Sequence, residues 1–582
     1  MGTMTRTLTL LLFASLMFAG IATAQGPGGG RGQGPGRAGG PGMPPRDARP
    51  AQQAGTATIR GRIVAADTGA PVRRAQVRAV STDARGSRLA TTDADGRYEL
   101  RDLPAGRWEI SASKAGFVTL RYGQRRPLEA GRPIELVDAQ VMDRADIALP
   151  RGAAITGRVY DEFGDPVAGA RVQVLHYRTV QGARRLVPLG IADESDDTGA
   201  FRLFGLTPGD YYVSATLRAM RVDDPTADAA GYAPTYFPGT GNVVEAQRVT
   251  LGLGQELGNI SFALLPVRTV RVSGSVIDST GKPLTGGFLM LAPADSTSEA
   301  PMIFGGGGNV RGDGSFTLTN VAPGSYTLTV TTRGPGGGRF GGRGGTAAAV
   351  EGDIASVALS VGNEDMSGVT IATTRGATLS GTVVAAAGSG QAPLSSIQIT
   401  TVAVPVGRGL GNPSAGVAAN GTFTLRGLLG SRVIRVTGLP QNWMVQSIVV
   451  NGADVSDDVV EFSGSEEIRA RVTITDRVTE VNGTVMAGNQ PAKDYSVVIF
   501  PEDDTKWTFP SRYVRAARPD QQGTFRVRGL PPNGRYLAVA VDYLEDGEAS
   551  DPAVLEQLAT SGTRFSLGAG ETRALDLRLF NR

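Results

Sequence analysis

Short runs of alternating apolar and polar residues recur along the chain after residue 55, and glycine- and proline-rich turns separate them. Alternation with a period of two places the apolar side chains of a strand on one face. Such runs follow Pro/Gly turns at residues 108–112, 211–215, 326–330 and 536–540. One segment, residues 552–559, instead predicts a helix, because Asp551 is a suitable N-cap and Pro552 suits the first helical position. The pattern therefore predicts an all-β protein with one short helix.

The same order of landmarks occurs five times. The first landmark is Gly-x-Val or Gly-x-Ile at the start of an alternating run, with the glycine at positions 61, 157, 274, 381 and 483. The second is a polar residue, Gly, any residue and then an aromatic residue: Tyr98, Phe201, Phe316, Phe423 and Phe525. The copies lie about 100 residues apart, which is the size of a domain.

Two further landmarks complete each copy. An apolar residue followed by a Pro/Gly turn precedes the next strand, except in the fourth copy, where Leu428-Leu429-Gly430 lacks the proline. An alternating segment then closes each copy, at residues 145–149, 260–264, 369–372, 470–474 and 575–579. Short strands with turns at regular intervals are typical of β-sandwiches. We therefore expect about five tandem Ig-like sandwiches arranged as a semi-extended rod.

The first copy resembles the carboxypeptidase regulatory-like domain of secreted bacterial proteins. The resemblance rests on Gly61-x-Ile63-Val64, Asp93-x-Asp95-Gly96-x-Tyr98 and Leu103-Pro104-x-Gly106. The second copy matches nearly as well, and the later three match mainly at the landmarks. The resemblance implies transthyretin-like sandwiches of about seven strands, within the carbohydrate-binding-like fold group.

The landmarks and the composition together predict the domain boundaries. We expect a signal peptide over residues 1–24, because Arg6 precedes an apolar run that ends at Ala22-Thr23-Ala24. A Gly/Pro/Arg-rich linker over residues 25–55 has few large apolar side chains and predicts no stable fold. Five sandwiches, called repeats 1 to 5 below, then cover residues 56–150, 151–266, 267–374, 375–476 and 477–582, the last with the helix near residues 552–559.

The composition argues against several kinds of catalytic chemistry. The chain has no cysteine and a single histidine, His176, so it lacks the two histidines that a zinc carboxypeptidase uses. His176 is interpreted as a core or edge residue of a strand rather than a catalytic base. We therefore expect no enzyme activity, no cofactor and no metal site. A net charge of +3 with interspersed signs also predicts no nucleic-acid partner.

Two acidic clusters deserve a separate interpretation. Asp93-x-Asp95-Gly96 begins like a calcium loop but lacks the glutamate at its twelfth position. Asp193, Asp196 and Asp197 have no better spacing. We interpret both clusters as turn formers.

Six aromatic residues in loops are the candidate ligand-binding residues, because a flat ring can stack on the apolar face of a sugar. They are Tyr232, Tyr236, Trp443, Trp507, Phe509 and Tyr513. The last three share one long loop, beside Arg512 and Arg515. Two interpretations stay open for each ring: contact with a ligand, or packing over a repeat edge or between neighbouring repeats.

These observations favour a non-catalytic binding or scaffolding protein, exported to the periplasm or outside the cell. Its expected partners are carbohydrate, another cell-envelope polymer or an envelope protein, and no transmembrane segment is expected after signal cleavage. One alternative is a structural spacer or assembly partner of an outer-membrane complex. A second alternative is a hydrolase that uses an unrecognised pair of carboxylates.

Overall fold

The computed structural model describes residues 55–81, 86–126, 128–217, 230–294, 308–332, 352–404 and 411–582. The predicted signal peptide, and all but the last residue of the predicted linker, lie outside these ranges. Strands dominate the described residues, so the predicted all-β fold class is confirmed. Helix α1, Pro552–Ala559, forms where the sequence predicts it, and Asp551 caps it by accepting a hydrogen bond from the Ala553 amide. Three short 3-10 turns cover Leu394–Ser396, Asp504–Lys506 and Glu548–Ser550.

Repeat 1 folds as two facing sheets. One sheet has the order β4-β1-β8 with β9 also on β1, and the other has the order β3-β2-β5-β6 with β7 also on β5. The strands are β1 Ala57–Ala65, β2 Gln76–Ser81, β3 Ser87–Thr91, β4 Arg97–Leu103, β5 Gly106–Ser113, β6 Leu120–Arg121, β7 Ile134–Leu136, β8 Val141–Met142 and β9 Ile147–Leu149.

Repeat 2 has the same two sheets and one long hairpin. The sheets have the orders β13-β10-β18 with β19, and β12-β11-β14-β16 with β17, while β15 pairs with β20. The strands are β10 Ala153–Tyr160, β11 Arg171–Val180, β12 Ala183–Glu194, β13 Ala200–Leu206, β14 Gly209–Thr216, β15 Ala230–Tyr232, β16 Thr235–Tyr236, β17 Val249–Leu251, β18 Glu256–Leu257, β19 Phe262–Ala263 and β20 Pro266–Arg268.

Repeat 3 is the smallest sandwich, with seven strands among its described residues. Its sheets have the orders β24-β21-β27 and β23-β22-β25-β26. The strands are β21 Val270–Ile277, β22 Gly287–Pro293, β23 Gly308–Val310, β24 Ser315–Val321, β25 Gly324–Thr331, β26 Ile354–Val361 and β27 Met366–Ala372.

Repeat 4 extends this plan, because its first sheet gains a hairpin and reads β31-β28-β36-β33-β34. Its second sheet reads β30-β29-β32-β35. The strands are β28 Ala377–Ala385, β29 Gln398–Ala403, β30 Ser414–Gly416, β31 Thr422–Leu428, β32 Gly430–Thr437, β33 Met444–Val450, β34 Ala453–Asp454, β35 Val460–Phe462 and β36 Glu467–Thr475.

Repeat 5 joins its two halves into one eight-stranded sheet of order β38-β37-β44-β42-β39-β40, with β41 on β37 and β43 on β42. Strand β44 makes the join, since it pairs in parallel with both β37 and β42. The strands are β37 Glu480–Ala487, β38 Gln490–Pro491, β39 Ser496–Pro501, β40 Arg515–Ala517, β41 Phe525–Arg528, β42 Arg535–Val541, β43 Thr563–Ser566 and β44 Thr572–Phe580.

Each repeat buries its own apolar core. One cluster of buried side chains draws on residues 57–149, and others draw on residues 153–264, 270–371, 377–474 and 481–577. Repeat 5 has a second cluster on the other face of its sheet, where Val554, Leu555 and Leu558 of helix α1 pack. Burial of these faces is the main term that stabilises each sandwich.

The predicted semi-extended rod is wrong, because repeat 1 contacts repeat 5 directly. Arg132 and Asp494 form an ion pair across this contact, and so do Glu129 and Arg518. Such contacts between residues more than 360 positions apart leave no pattern in the local sequence. The ends of the described chain are therefore not separated in the way that a rod of five sandwiches requires.

A search of the described residues for a helix that is long and apolar enough to cross a bilayer finds none.

Candidate functional site

The loop of residues 502–514 in repeat 5 carries three of the six predicted ligand-binding aromatics and connects β39 to β40. A 3-10 turn begins it, and the Asp503 carboxylate caps that turn by accepting hydrogen bonds from the Thr505 amide at 3.2 Å and the Thr505 hydroxyl at 2.6 Å. The loop then turns Trp507 inward and leaves Phe509 and Tyr513 half-buried.

Trp507 packs in the second core of repeat 5. Only 8% of the residue is exposed, and its indole Nε1 donates a hydrogen bond to the Pro501 carbonyl oxygen at 2.8 Å. Its ring meets Phe500 edge-on, with 5.6 Å between the ring centroids. For Trp507 the structure favours the packing interpretation over ligand contact.

Phe509 and Tyr513 face other repeats. A Cβ built on Gly182, in the β11–β12 turn of repeat 2, would lie 2.5 Å from the Cβ of Phe509, so the two backbones are in close contact. The Tyr513 hydroxyl donates a hydrogen bond to Asp457 of repeat 4 at 2.8 Å. Both rings thus serve contacts between repeats, which the sequence left as one of two interpretations.

Asp457 is the centre of the contact between repeats 4 and 5. Arg512 binds it with both Nε, at 2.6 Å, and Nη2, at 2.9 Å. Burial acts to raise the pKa of Asp457, but the hydrogen bonds from Arg512 and Tyr513 outweigh it and hold that pKa below its usual value. Burial and the same carboxylate raise the pKa of Tyr513 to about 12. The carboxylate therefore stays charged and the phenol stays protonated at neutral pH.

The residues around this contact line a cleft of about 480 Å³ between repeats 4 and 5. Its polar lining comprises Gln446, Thr475, Arg477, Arg512, Tyr513 and Asn533. The Tyr513 ring also lies beside two cations, with Lys506 Nζ 5.1 Å and Arg512 Cζ 5.7 Å from its centroid. Of the six predicted residues, Tyr513 alone lines this cleft.

Repeat 1 contacts repeat 5 through a buried ion pair. The side chains of Arg518 and Glu129 are 3% and 4% exposed. Arg518 also donates to the carbonyl oxygens of Ala130 at 3.1 Å and Gly123 at 3.4 Å, so three residues of repeat 1 bind its guanidinium. Burial lowers the pKa of Arg518, and Glu129 opposes that effect.

More exposed charges surround this pair. Arg125 and Arg132 of repeat 1 both contact Asp494, while Arg121 pairs with Asp546 and Arg126 with Asp542, each at 3.3 Å. Exposed pairs contribute little energy each. The buried Arg518–Glu129 pair is the one that costs most to break.

Repeat 2 contacts repeat 5 through the turn between β11 and β12. The Thr179 hydroxyl lies 3.4 Å from the Asp551 carboxylate, which also caps helix α1. Gly547 has a φ of 94°, and a Cβ there would lie 2.5 Å from the Thr179 carbonyl oxygen. Only a residue without a side chain fits this close approach.

The other three predicted aromatics lie apart from this surface. Trp443 packs in the core of repeat 4 and Tyr236 packs against Leu175 and Leu186, each with 8% exposure. Tyr232 is half-buried, and its hydroxyl donates to the Glu162 carboxylate at 2.6 Å. Burial favours packing for Trp443 and Tyr236, and ligand contact at any of the six residues stays a prediction.

The two acidic clusters form turns. Asp93 accepts hydrogen bonds from the amides of Asp95 and Arg97, at 2.9 and 2.8 Å, and Asp196 does the same for Thr198 and Ala200, both at 2.9 Å. Within the part of the chain that the structure describes, no group of three or more His, Cys, Asp or Glu side chains is placed to hold a metal ion.

Sequence reasoning missed the residues that join the repeats, above all Glu129, Arg518 and Asp457. Charged residues on strand edges and loops look like ordinary solvated positions in a sequence. The one available signal was the loop of residues 502–514, whose aromatic and arginine content exceeds what a simple turn needs.

The described fold is that of a multi-domain β-sandwich protein. The family model described as carboxypeptidase regulatory-like domain matches residues 58–150. This match confirms the resemblance that the sequence shows in repeat 1. None of the curated proteins compared with this chain matches it.

Several solved structures are similar to parts of the chain. The Bacillus anthracis TIE protein is 12% identical with a TM-score of 0.15, and the match covers 73% of each chain. A streptococcal ancillary pilin is 13% identical over 54% of this chain and 98% of that one, with a TM-score of 0.20. GBS52, the minor pilin of Streptococcus agalactiae, is 15% identical over 36% of this chain and 96% of that one, with a TM-score of 0.20. At these TM-scores the similarity supports no inference about function.

Proposed function

We propose that the protein is an exported, non-catalytic scaffold whose repeats are held together to form composite binding surfaces, with carbohydrate or other cell-envelope material as the ligand class. The observation that carries the proposal is the contact of repeats 1, 2 and 4 with repeat 5 through the Glu129–Arg518, Thr179–Asp551 and Asp457–Arg512 pairs. A set of repeats joined in this way presents surfaces that no single repeat has.

The junctions between repeats supply concave surfaces. Besides the cleft at Tyr513, a cavity of about 480 Å³ lies where repeats 1, 4 and 5 meet, and its lining includes Arg107, Gln441, Arg515 and Arg528. Ligand sites occur preferentially at domain interfaces and have volumes of about 300–1,000 Å³. Both spaces fall in that range.

The contact between repeats 1 and 5 favours a scaffold over a spacer. A spacer works by separating its ends, and an extended array would need no contact between its first and last repeats. The buried Glu129–Arg518 pair instead joins residues of the first and last repeats. Among the described residues, neither acidic cluster supplies a catalytic carboxylate pair for the hydrolase alternative, because Asp93 and Asp196 each accept hydrogen bonds within their own turns.

The test compares the wild-type chain with a Glu129→Ala variant, both immobilised and exposed to envelope polysaccharide and envelope proteins of the producing bacterium. We expect the wild type to retain a defined glycan or protein, measured by sugar analysis and mass spectrometry. The variant, with Arg518 left unpaired, should retain several-fold less. Arg60→Ala, which removes a partner of an exposed ion pair within repeat 1, is the matched control and should retain as much as the wild type.

Three results would count against the proposal. In the first, the wild type retains no glycan or protein. In the second, the Glu129→Ala variant retains as much material as the wild type although its repeats have separated. Cleavage of an offered polymer, insensitive to chelators and lost on changing one acidic residue, would instead establish the hydrolase.

A further inference from the structure

A third cavity, larger than the two described above, lies where repeats 1, 2 and 5 meet. Its volume is about 570 Å³. Repeat 2 supplies most of the wall, from β11, β12, the turn before β14, the start of β14 and Arg248. Leu128 of repeat 1 and Tyr543 and Glu545 of repeat 5 close it. Sequence reasoning assigned no ligand to any of these residues.

His176, the only histidine of the chain, lines this cavity. It is 5% exposed, and its Nε2 atom has no hydrogen-bond partner among the described residues. Burial, assisted by Arg178, lowers its pKa to about 4, so the imidazole is neutral near pH 7. A buried polar atom without a partner costs about 1–3 kcal/mol. Less than 1 Å² of that Nε2 atom is exposed, so other atoms of the ring form the cavity wall, and the imidazole can report on the cavity without bonding to its contents.

Tyrosine rings form the apolar part of the wall. Tyr177 and Tyr212 meet edge-on, with 5.7 Å between their ring centroids, and Tyr543 comes from repeat 5. Tyr177 is 37% exposed, and Arg184 Cζ lies 4.9 Å from the centroid of its ring. Rings of this kind provide flat surfaces on which the apolar face of a sugar can stack.

The charges in the wall balance. Two arginines, Arg184 and Arg248, are offset by two carboxylates, Asp210 and Glu545, and Arg248 pairs with Asp210 at 3.3 Å. A site for phosphate or for an acidic sugar would need a surplus of cations. Balanced donors and acceptors beside aromatic rings instead suit a neutral ligand that is rich in hydroxyl groups.

We propose that this cavity binds a neutral oligosaccharide, which stacks on Tyr177 and Tyr212 and hydrogen-bonds to the paired charges of Arg248 and Asp210, beside the ring of His176. Because Tyr543 and Glu545 come from repeat 5, the site is complete only when repeats 2 and 5 are in contact. A ligand that needs both repeats stabilises their contact by binding. This inference rests on the proposed function, because it names one composite surface and the class of its ligand. The His176 signal reads this cavity and not the polymer retained by the whole chain, so either proposal can fail without the other.

The single histidine makes the test direct. The full chain is labelled with ¹³C-histidine and carries a tag without histidine, so that one imidazole signal reports on His176. The probes are maltotriose, cellotriose, xylotriose and triacetylchitotriose, with trigalacturonic acid as an anionic control and a tyrosine-rich peptide as a protein-like control. We expect at least one neutral trisaccharide to shift the His176 signal in a saturable manner.

Matched variants locate the binding. Tyr212→Ala should weaken the affinity at least about tenfold, equivalent to about 1.4 kcal/mol. Tyr212→Phe should retain it and shows that the cavity is folded, while Phe163→Ala, which removes an exposed ring elsewhere in repeat 2, should leave the titration unchanged.

The proposal is overturned if no neutral trisaccharide shifts the signal at up to about 10 mM, a concentration that would reveal even very weak binding. It is also overturned if only the acidic sugar or the peptide shifts the signal. Binding that calorimetry detects without any change at His176 would place the site elsewhere.

Discussion

One buried side chain after each Pro/Gly turn ties that turn to the core. Trp108, Tyr211, Tyr326 and Tyr536 each donate a hydrogen bond to a carbonyl oxygen four or five residues earlier, at 2.6–3.0 Å. The fourth repeat, which lacks the proline, has Arg432 at this position. Arg432 is 1% exposed and donates to the carbonyl oxygens of Leu429 and Gly411, both at 3.0 Å. The same turn can thus be held by an aromatic residue or by an arginine.

At the residue scale, His176 gives a prediction about pH. Its pKa of about 4 lies below the ordinary value of 6.5, because burial, with Arg178, disfavours the charged ring. As the pH falls from about 6.5 to about 4, the unfolded chain takes up a proton that the folded chain does not. The free energy of unfolding should therefore decrease over this window, by an amount on the order of 3 kcal/mol.

Two measurements check this prediction. The ¹³Cε1 signal of the single histidine should titrate with a midpoint near pH 4 in the folded chain. Denaturation of a His176→Gln variant should lose this part of the pH dependence while retaining that of the carboxylates. A titration midpoint near 6.5 would contradict the burial of the ring.

At the scale of elements, the landmarks of the repeat are partners of one another. The glycine of the first landmark lies opposite the aromatic residue of the second in every repeat, as in the pairs Gly61–Tyr98, Gly157–Phe201, Gly274–Phe316, Gly381–Phe423 and Gly483–Phe525. A Cβ at each of these glycines would lie 1.8–2.3 Å from a carbonyl oxygen of the closing segment. Glycine is required because the closing strand runs parallel beside the first strand and approaches it closely at this point.

Gly274→Ala should separate β21 from β27 in repeat 3, since a Cβ would lie 1.9 Å from the Val369 carbonyl oxygen and 3.0 Å from the Phe316 ring. We expect a loss of more than about 3 kcal/mol, as for other severe packing clashes. Hydrogen exchange followed by mass spectrometry should show faster exchange in peptides from Val270–Ile277 and Met366–Ala372.

Gly362→Ala in the same repeat is the control, because no atom lies within 4 Å of a Cβ built there. Its exchange should match that of the wild type. Equal exchange in Gly274→Ala and Gly362→Ala would show that the pairing of β21 with β27 does not depend on their close approach at Gly274.

At the scale of the whole molecule, the contacts of repeat 5 decide how the other repeats are arranged. The buried Glu129–Arg518 pair joins it to repeat 1, and the bidentate Asp457–Arg512 pair joins it to repeat 4. Removing one partner of a buried pair leaves an uncompensated charge and costs about 3–5 kcal/mol, whereas an exposed pair contributes about 0–1 kcal/mol.

Glu129→Ala should therefore release repeat 1 from repeat 5. We expect a larger radius of gyration by small-angle X-ray scattering, with faster hydrogen exchange in residues 121–126 and 128–135 and unchanged exchange in the core strands of each repeat. Arg121→Ala removes an exposed partner and should leave the scattering unchanged. Identical scattering from the wild type and Glu129→Ala would show that the ion pair does not hold the repeats together.

Much of the candidate surface could not be predicted from the sequence. The loop of residues 502–514 was recognised because three aromatic residues in a predicted loop are unusual. For Trp507 both ligand contact and packing stayed open, because the Pro501 carbonyl and helix α1 that bury the ring could not be identified from the sequence. Glu129 and Asp457 had no distinguishing sequence context at all.

The sequence by itself determined the strands, the turns, the inward faces and the fivefold repetition, because each depends on neighbours within a few residues: the period of two, the φ of a glycine, the cap of a helix. The tertiary structure alone decided which repeats meet, which aromatic rings are buried, and that the only histidine lines a cavity of three repeats. Those outcomes depend on contacts such as Arg132–Asp494, which join residues 362 positions apart. Two sandwiches pack together where their surfaces are complementary in shape and charge. The local periodicity of the sequence reports neither property.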